Sequence, residues 1–451
     1  MNKKFWTFRY ALINITYFAV FCTIHAYAGM YLADKGFSNT LLGFVLAAAN
    51  VLSVIIQPII AGIIDKGGWL TNRTAVMGST LILIIGSLIL MPNNLPKGVI
   101  FAAYMVIYMV QMVYQPIIIA MNFEYAKAGC DIKFGLARGL GSAGFAVTSA
   151  IMGGVIEKRG CNVLLIINVV ILLISLAVTY TFKLSAAEEN LSDKKNAGED
   201  KIIAEGGMSA ETKKSNAENT NAVNANAENA NAENTASAGE KQKEAPKDIA
   251  HNNFFDFMKT YPRFAFLLVG IACLFFAHNG INDYMFRIVS DLGGTKTQFG
   301  FATFLQAILE LPMMAVIYIF IKKFGTRLLL CFSAVFFLIK IFVLYLAGNM
   351  PILYVSQFCQ LFAYAIIIPV SAYYVEEIMS ESDKVKGQAY INCAITISGV
   401  FSGLTAGSLV DGYGTKFMIL VGCIVSLIGV IIIIIDSYGF THKQMKRPQK
   451  C

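Results

Sequence analysis

The sequence is short of charge. Only 14% of its 451 residues are Asp, Glu, Lys or Arg, whereas 56% are hydrophobic and the mean hydropathy is +0.61. Soluble globular chains carry roughly a quarter charged residues, so this balance argues against an ordinary water-soluble enzyme. Histidine is scarce too: there are four, and His251 and His442 lie outside the apolar runs. A membrane enzyme would want a cluster of His, Asp or Cys at the interface, and the sequence offers none. The nine cysteines are scattered singly, without metal-ligand spacing or a disulfide framework. No G-x-x-x-x-G-K-[ST] loop occurs, so nucleotide hydrolysis is not the energy source. No catalytic residue, metal or cofactor is expected.

The charge that is present sits unevenly. Residues 184–253 hold 8 lysines and 13 acids, a net of −5, so the remainder of the chain carries +13. Those basic residues lie in short connectors between apolar runs, where they act as determinants of membrane orientation rather than as a nucleic-acid footprint. A bilayer core about 30 Å thick needs roughly 20 apolar residues in a helix. Such windows fall near 10–32, 40–63, 74–92, 98–121, 134–156 and 162–183, and then near 264–285, 297–321, 327–347, 351–375, 387–410 and 415–435. They are numbered here as spans 1 to 12.

The chain is therefore expected to be an all-α membrane protein with 12 transmembrane helices in two six-helix halves, 1–183 and 254–436. A 184–253 linker joins the halves and a basic tail, 437–451, follows. With the N-terminus inside, the connectors on the cytoplasmic side hold sixteen lysines and arginines against seven outside, leaving the linker and its flanks aside. That bias predicts a multi-pass protein of the cell membrane with both termini cytoplasmic. The linker contains NAENTNAVNANAENANAENT (216–235), which cannot bury enough apolar area to offset its ordering entropy. Disorder is expected there, as a tether or as a docking tail. The first span follows a basic N-terminus without a small-residue cleavage site and is expected to be retained.

Three-span units recur. G-I-I-D-K-G-G follows span 2, with Asp65, Lys66 and then Arg73, and K-K-F-G-T-R follows span 8, with Lys322, Lys323 and Arg327. G-V-I-E-K-R-G, with Glu157, and G-S-L-V-D-G-Y-G, with Asp411, close spans 5 and 11. Four short turns of related design, one per three spans, fit inverted three-helix repeats. With these turns the sequence resembles the major facilitator superfamily. F-G-L-A-R-G-L-G-S-A-G-F (134–145), D-K-V-K-G-Q-A (383–389) and L-E-L-P (309–312) are similar to the oligosaccharide/proton symporter branch related to lactose permease.

The resemblance implies two halves rocking around a central site. The first and third turns become gating loops, through Asp65, Lys66, Arg73, Lys322, Lys323 and Arg327. Arg138 falls on the branch's sugar-binding arginine and Lys340 on a basic position associated with proton release. The fourth-helix carboxylate of lactose permease, however, falls on Ala120, and its tenth-helix histidine and glutamate fall on Gln360 and Ala363. The fold carries over, and lactose-type recognition does not.

Polar residues inside the spans point to a wet interior. A charged side chain at mid-bilayer costs roughly 2.5–3.5 kcal/mol on insertion scales, so Glu310 in span 8 and Lys340 in span 9 need a reason to be there. Their depths differ by roughly 10 Å, which suits a bridge through water or a third polar group better than direct contact. They are either a proton-coupling pair or a static ion pair that fixes packing. His25 in span 1 and His278 in span 7 are further coupling candidates, since imidazole titrates in the useful range, or else packing hydrogen-bond donors. Tyr104, Tyr108, Gln111, Gln115 and Asn122 line one face of span 4, and Gln357, Gln360, Tyr364 and Ser371 do so in span 10. These faces, with Arg138, Asn279 and Asn282, are expected to line a substrate cavity, the alternative being interhelical hydrogen bonds or, for Arg138 with Glu124, anchoring of the loop between spans 4 and 5.

Asp283 and Arg287, four apart, read as a surface pair. Gly139, Gly141 and Gly144 spell a dinucleotide fingerprint but lie inside an apolar helix, where small residues serve close packing. Pro58, Pro116, Pro312 and Pro369 are expected to bend spans 2, 4, 8 and 10. The function expected is secondary active transport of a small polar solute (a sugar, oligosaccharide or nucleoside-like molecule) by alternating access with proton symport, in a monomer whose partners are the solute, protons and the lipid bilayer. An efflux antiporter and a non-transporting receptor or scaffold are the alternatives.

Overall fold

The computed structural model describes residues 3–66, 68–130, 132–183 and 254–439. The expected linker and nearly all of the basic tail lie outside the described residues. Within them every regular element is helical and no strand occurs. Eleven helices are long and apolar enough to cross a membrane, and a bent pair, Lys296–Met313 with Ala315–Phe324, makes the twelfth. That pair meets at 56°, one residue after Pro312, whose ring removes a helical hydrogen bond and crowds the preceding turn.

Most spans run a few residues past their hydropathy windows, because polar caps outside the bilayer complete them. Thr71 and Thr295 form capping boxes with Thr74 and Gln298 at the starts of spans 3 and 8. Ser38 and Asn349 accept from Leu41 N and Ile352 N at the starts of spans 2 and 10. Two further spans change their winding part-way. Span 1 passes from Lys3–Phe21 through a π turn at Cys22–Ala26 into Ala28–Asp34. Span 10 is Met350–Phe358, a 3-10 turn at Cys359–Leu361, and Tyr364–Ile378. A short helix, Phe254–Thr260, precedes span 7 and buries Phe257 against Tyr261 and Tyr390. Hydropathy gave no sign of it.

The three-helix repeat is visible in the backbone. Gly160, Gly325 and Gly414, at the ends of spans 5, 8 and 11, share φ of 76–84° with ψ of 160–172°, and Gly68 after span 2 has φ 120°. That region of conformational space is essentially open to glycine alone, which is why each repeat spends a glycine there.

Spans 1 to 6 pack together, as do 7 to 12, and the halves meet where span 5 runs beside span 8 and span 2 beside span 11. The N-terminus and the ends of residues 183 and 254 share one face, called terminal below; the opposite face is distal. Ile55, Ile59, Ile166, Val170, Leu173, Phe401, Ile424 and Ile435 are exposed on the outside of the bundle, where acyl chains replace water as the neighbour.

Gly141 and Gly144, two of the three glycines of the false fingerprint, lie against Phe18, Asn14 and Ile15 of span 1. A Cβ at either would press into that helix, so close packing accounts for them.

Candidate functional site

Between the halves lies a cavity of about 420 Å³. Both halves line it: Phe18, Phe21, His25, Asn50, Tyr108, Arg138 and Phe145 from the first, and His278, Asn279, Asn282, Asp283, Gln306, Glu310 and Tyr364 from the second. Six of these, namely Tyr108, Arg138, Asn279, Asn282, Tyr364 and Glu310, and both histidines were expected from the sequence.

The two histidines occupy matching settings. His25 sits in the π turn with its ring stacked on Phe21 at 4.3 Å and beside Tyr108 of span 4 at 3.7 Å. His278 is stacked on Tyr364 of span 10 at 5.2 Å, with Phe275 of its own helix at 5.7 Å. Each half thus presents an imidazole between a phenylalanine from the preceding turn and a tyrosine from its fourth span. Their polar links differ. Nε2 of His25 is buried without a hydrogen bond, whereas Nε2 of His278 meets Asn282 Nδ2 at 3.0 Å. Gln306 Nε2 in turn donates to Asn282 Oδ1 at 3.2 Å.

Glu310 faces the cavity, and Lys340 lies behind it, 1% exposed. Gln360 joins them. Its Nε2 donates to Glu310 Oε1 at 2.8 Å, and its Oε1 accepts from Lys340 Nζ at 2.5 Å. The 3-10 turn in span 10 carries Gln360, so the amide projects between spans 8 and 9 instead of following a regular helical face. Burying an ammonium without an acceptor costs several kcal/mol, and the Gln360 carbonyl supplies one. Arg138 Nη1 donates to Ser142 Oγ at 3.0 Å, and its guanidinium lies 4.0 Å from the centre of the Phe18 ring.

Four expected cavity residues are buried in the interior, outside the cavity lining. Gln111 is fully buried in a reciprocal pair, Tyr17 OH donating to Gln111 O and Gln111 Nε2 to Tyr17 O, at 3.0 and 3.1 Å. Gln357 is buried and donates to Ser356 Oγ. Asn122 is buried near the terminal end of span 4, away from the cavity. Gln360 reaches Glu310 without lining the cavity itself. Gln115 is half-buried and also lies outside the lining. Interhelical hydrogen bonding accounts for Gln111, because in an apolar bundle an amide finds a backbone partner sooner than water.

The Asp283–Arg287 pair does not form. Arg287 Nε donates to Asn39 Oδ1 of span 2 at 3.2 Å, while Asp283 turns to the cavity and makes no ion pair or hydrogen bond among the described residues. Sequence reasoning missed it because i, i+4 spacing with an arginine is the usual sign of a surface pair. Asn50 and Gln306 were also missed. Gln306 had a signal, lying one turn before Glu310 on the same helix face.

At the terminal face, Arg73 donates to the carbonyls of Thr179 and Tyr180 at 3.1 and 2.6 Å, closing the end of span 6. Lys66, Lys322 and Lys323 are exposed and Arg327 is half-buried; the Asp65 side chain lies outside the described residues. None of the four described side chains makes a described hydrogen bond to the other half. Among the described residues no group of three His, Cys, Asp or Glu side chains could hold a metal ion.

The description MFS_1 like family matches residues 7–421, nearly the whole chain. The chain belongs to the MFS_1-like family, within the major facilitator superfamily. A putative sugar efflux transporter of Deinococcus radiodurans is 26% identical over 163 residues, 36% of this chain and 41% of that protein. The match thus spans less than half of that relative's length. Among solved structures, the nucleoside transporter NupG has a TM-score of 0.69 at 15% identity, covering 99% of this chain and 100% of its own. A bacterial homologue of the human lysosomal transporter Spinster, in an inward-facing and unoccupied conformation, has a TM-score of 0.60 at 12% identity, with 98% of both chains covered. At these identities the likeness is one of fold.

Proposed function

We propose that the chain is a secondary active transporter that moves a small polar solute of the sugar, oligosaccharide or nucleoside type by alternating access, with proton symport. The observation that carries the reading is a polar cavity between two six-helix halves, into which a buried acid–amide–lysine chain opens. A cavity of about 420 Å³ suits a solute of a few hundred daltons. Amides and a guanidinium offer the hydrogen bonds that hydroxyls or a heterocycle need, and the two tyrosine–histidine stacks offer flat surfaces.

Glu310 is the coupling acid in this reading. Its ionised form is tolerated while Gln360 links it to Lys340, and a proton taken from the cavity neutralises it when that link loosens. The chain sits in the cell membrane as a monomer, with the terminal face cytoplasmic. Support for this sidedness comes from the excess of lysine and arginine in the terminal-face connectors. All described hydrogen bonds between the halves lie near the distal face, which fits a carrier open toward the cytoplasm.

The test is uptake into proteoliposomes of a panel of labelled sugars and nucleosides, with and without an imposed pH gradient. Accumulation against a concentration gradient that collapses with the pH gradient supports symport; no movement of any solute under either condition overturns transport of this class. The name of the Deinococcus relative favours a second reading, export by antiport. Under antiport the accumulating compartment is the acidic one, so reversing the pH gradient separates the two. Deleting 190–245 while keeping a short connection leaves a transporter active and disables a docking scaffold.

A further inference from the structure

Glu157 and Asp411 were read from the sequence as parts of turns, and the transport cycle proposed above gives them no task. Each reaches across to the opposite half. Glu157, at the distal end of span 5, accepts through Oε2 from the backbone N of Thr297 at 3.0 Å and from Thr297 Oγ1, at the start of span 8. Asp411, at the distal end of span 11, accepts at the start of span 2. Its Oδ2 takes Thr40 N and Thr40 Oγ1, both at 2.7 Å, and its Oδ1 takes Asn39 N and Nδ2 at 3.2 and 2.7 Å.

The two contacts are copies of one another. The receiving segments are S-N-T-L-L-G (38–43) and T-K-T-Q-F-G (295–300), and the reaching segments are G-G-V-I-E (153–157) and G-S-L-V-D (407–411). One pattern, hydroxyl–x–Thr–x–x–Gly, thus meets another, Gly–x–x–x–acid, twice. The glycines complete each contact one turn deeper. A Cβ on Gly43 would overlap the Gly403 carbonyl, one on Gly153 the Lys296 carbonyl, and one on Gly300 the Ser149 carbonyl. Tyr284 OH donates to Asn39 O at 2.7 Å, and on the other side Ser149 Oγ donates to Gly300 O at 2.9 Å.

The first N–H groups of a helix have no intrahelical partner and carry the positive end of its dipole, so a carboxylate is the best acceptor for them. Here that acceptor comes from the other half of the molecule. When the halves part at this face, Thr40 N and Thr297 N lose it and both acids return to water. The closed roof therefore holds interactions that the open roof cannot.

We propose that Glu157 and Asp411 are gate-positioning residues that act through the helix starts they cap and set how long the distal roof stays shut. The proposal rests on the alternating-access reading above, and its test reads conformation, so the two can fail separately. Spin labels on Asn94→Cys and Gly348→Cys, in the distal loops before spans 4 and 10, report the separation of the halves once the native cysteines are replaced. In Glu157→Ala and Asp411→Ala the ratio of short to long distances falls by about five-fold each, the order expected for one lost helix cap, and further in the double variant. Glu157→Gln and Asp411→Asn keep an oxygen acceptor and fall between, and Glu157→Asp restores the short population.

In transport, the alanine variants bind solute from the distal side with lower apparent KM, because less protein is held closed, while kcat drops. Distance distributions that coincide across wild type, single and double variants overturn the proposal, as does an alanine variant indistinguishable from its Gln or Asn counterpart. Should the double alanine variant aggregate, the paired Gln/Asn variant carries the same comparison. A wild type that moves no solute while its distances still shift removes the transport reading and leaves the gate.

Discussion

Glu310 and Lys340 do not touch; the side-chain amide of Gln360 stands between them, donating to the acid and accepting from the amine. Neither end can change without the middle noticing. A glutamine is suited to the place because it offers a donor and an acceptor on one planar group, which neither a second acid nor a second base does.

Removing the bridge should therefore cost more than removing the charge it serves. Gln360→Leu leaves Lys340 buried without its carbonyl acceptor, and the expected loss is about 1–3 kcal/mol of stability. Pairing it with Lys340→Met should recover most of that, since an apolar pair of similar size needs no acceptor. Thermal unfolding in detergent of the two single variants and the double gives the cycle; simple additivity would show that the bridge has no energetic content.

Glu310→Gln keeps the hydrogen-bonding shape of the acid and abolishes its titration. Uptake driven by a pH gradient should fall to equilibration, with counterflow exchange of solute retained. Unchanged accumulation in the same vesicles would take Glu310 out of coupling.

Asp283 faces the cavity with no ion pair or hydrogen bond among the described residues, so its loss should be felt by the solute rather than by the fold. Asp283→Asn is expected to weaken solute binding by about ten-fold, the worth of one good hydrogen bond to a charged acceptor, with the melting temperature unchanged. Equilibrium binding beside a melting curve separates these; a fall in melting temperature at unaltered affinity would make Asp283 a packing residue.

The glycines beneath the distal contacts have no room for a side chain. Gly43→Val would force the start of span 2 off Gly403 and Tyr284, and overpacking of this kind costs typically 1–3 kcal/mol. Because the strain exists only with the roof shut, the variant should populate the open-roof form rather than unfold. Label separation at 94 and 348 is the measurement, and Gly78→Val, where nothing lies within 4 Å, is the control.

The span count was legible because the bilayer imposes one rule on every segment, and the four glycine turns were legible because each needs a positive φ that glycine takes readily. The cavity lining was legible at Glu310, Arg138 and the two histidines, where a charged or titratable side chain falls inside an apolar run. It failed at Gln111 and Gln357, since an amide facing a neighbouring helix and an amide facing water leave the same trace on a helical wheel. It failed at Asp283 because a local partner four residues away looked sufficient. The distal contacts were half visible: the acids stood out, but their partners lie some 140 and 370 residues away, and only the fold brings them together.

Span 10 tightens from α to 3-10 winding at Cys359–Leu361, and the carbonyl of Cys359 takes both Phe362 N and Ala363 N there. A 3-10 stretch inside an α-helical span is where the winding of a helix changes, and here it falls at Gln360. The second half of the molecule thus changes its winding at the very residue that carries the acid–lysine connection, and a shift of either segment there is felt by both charges.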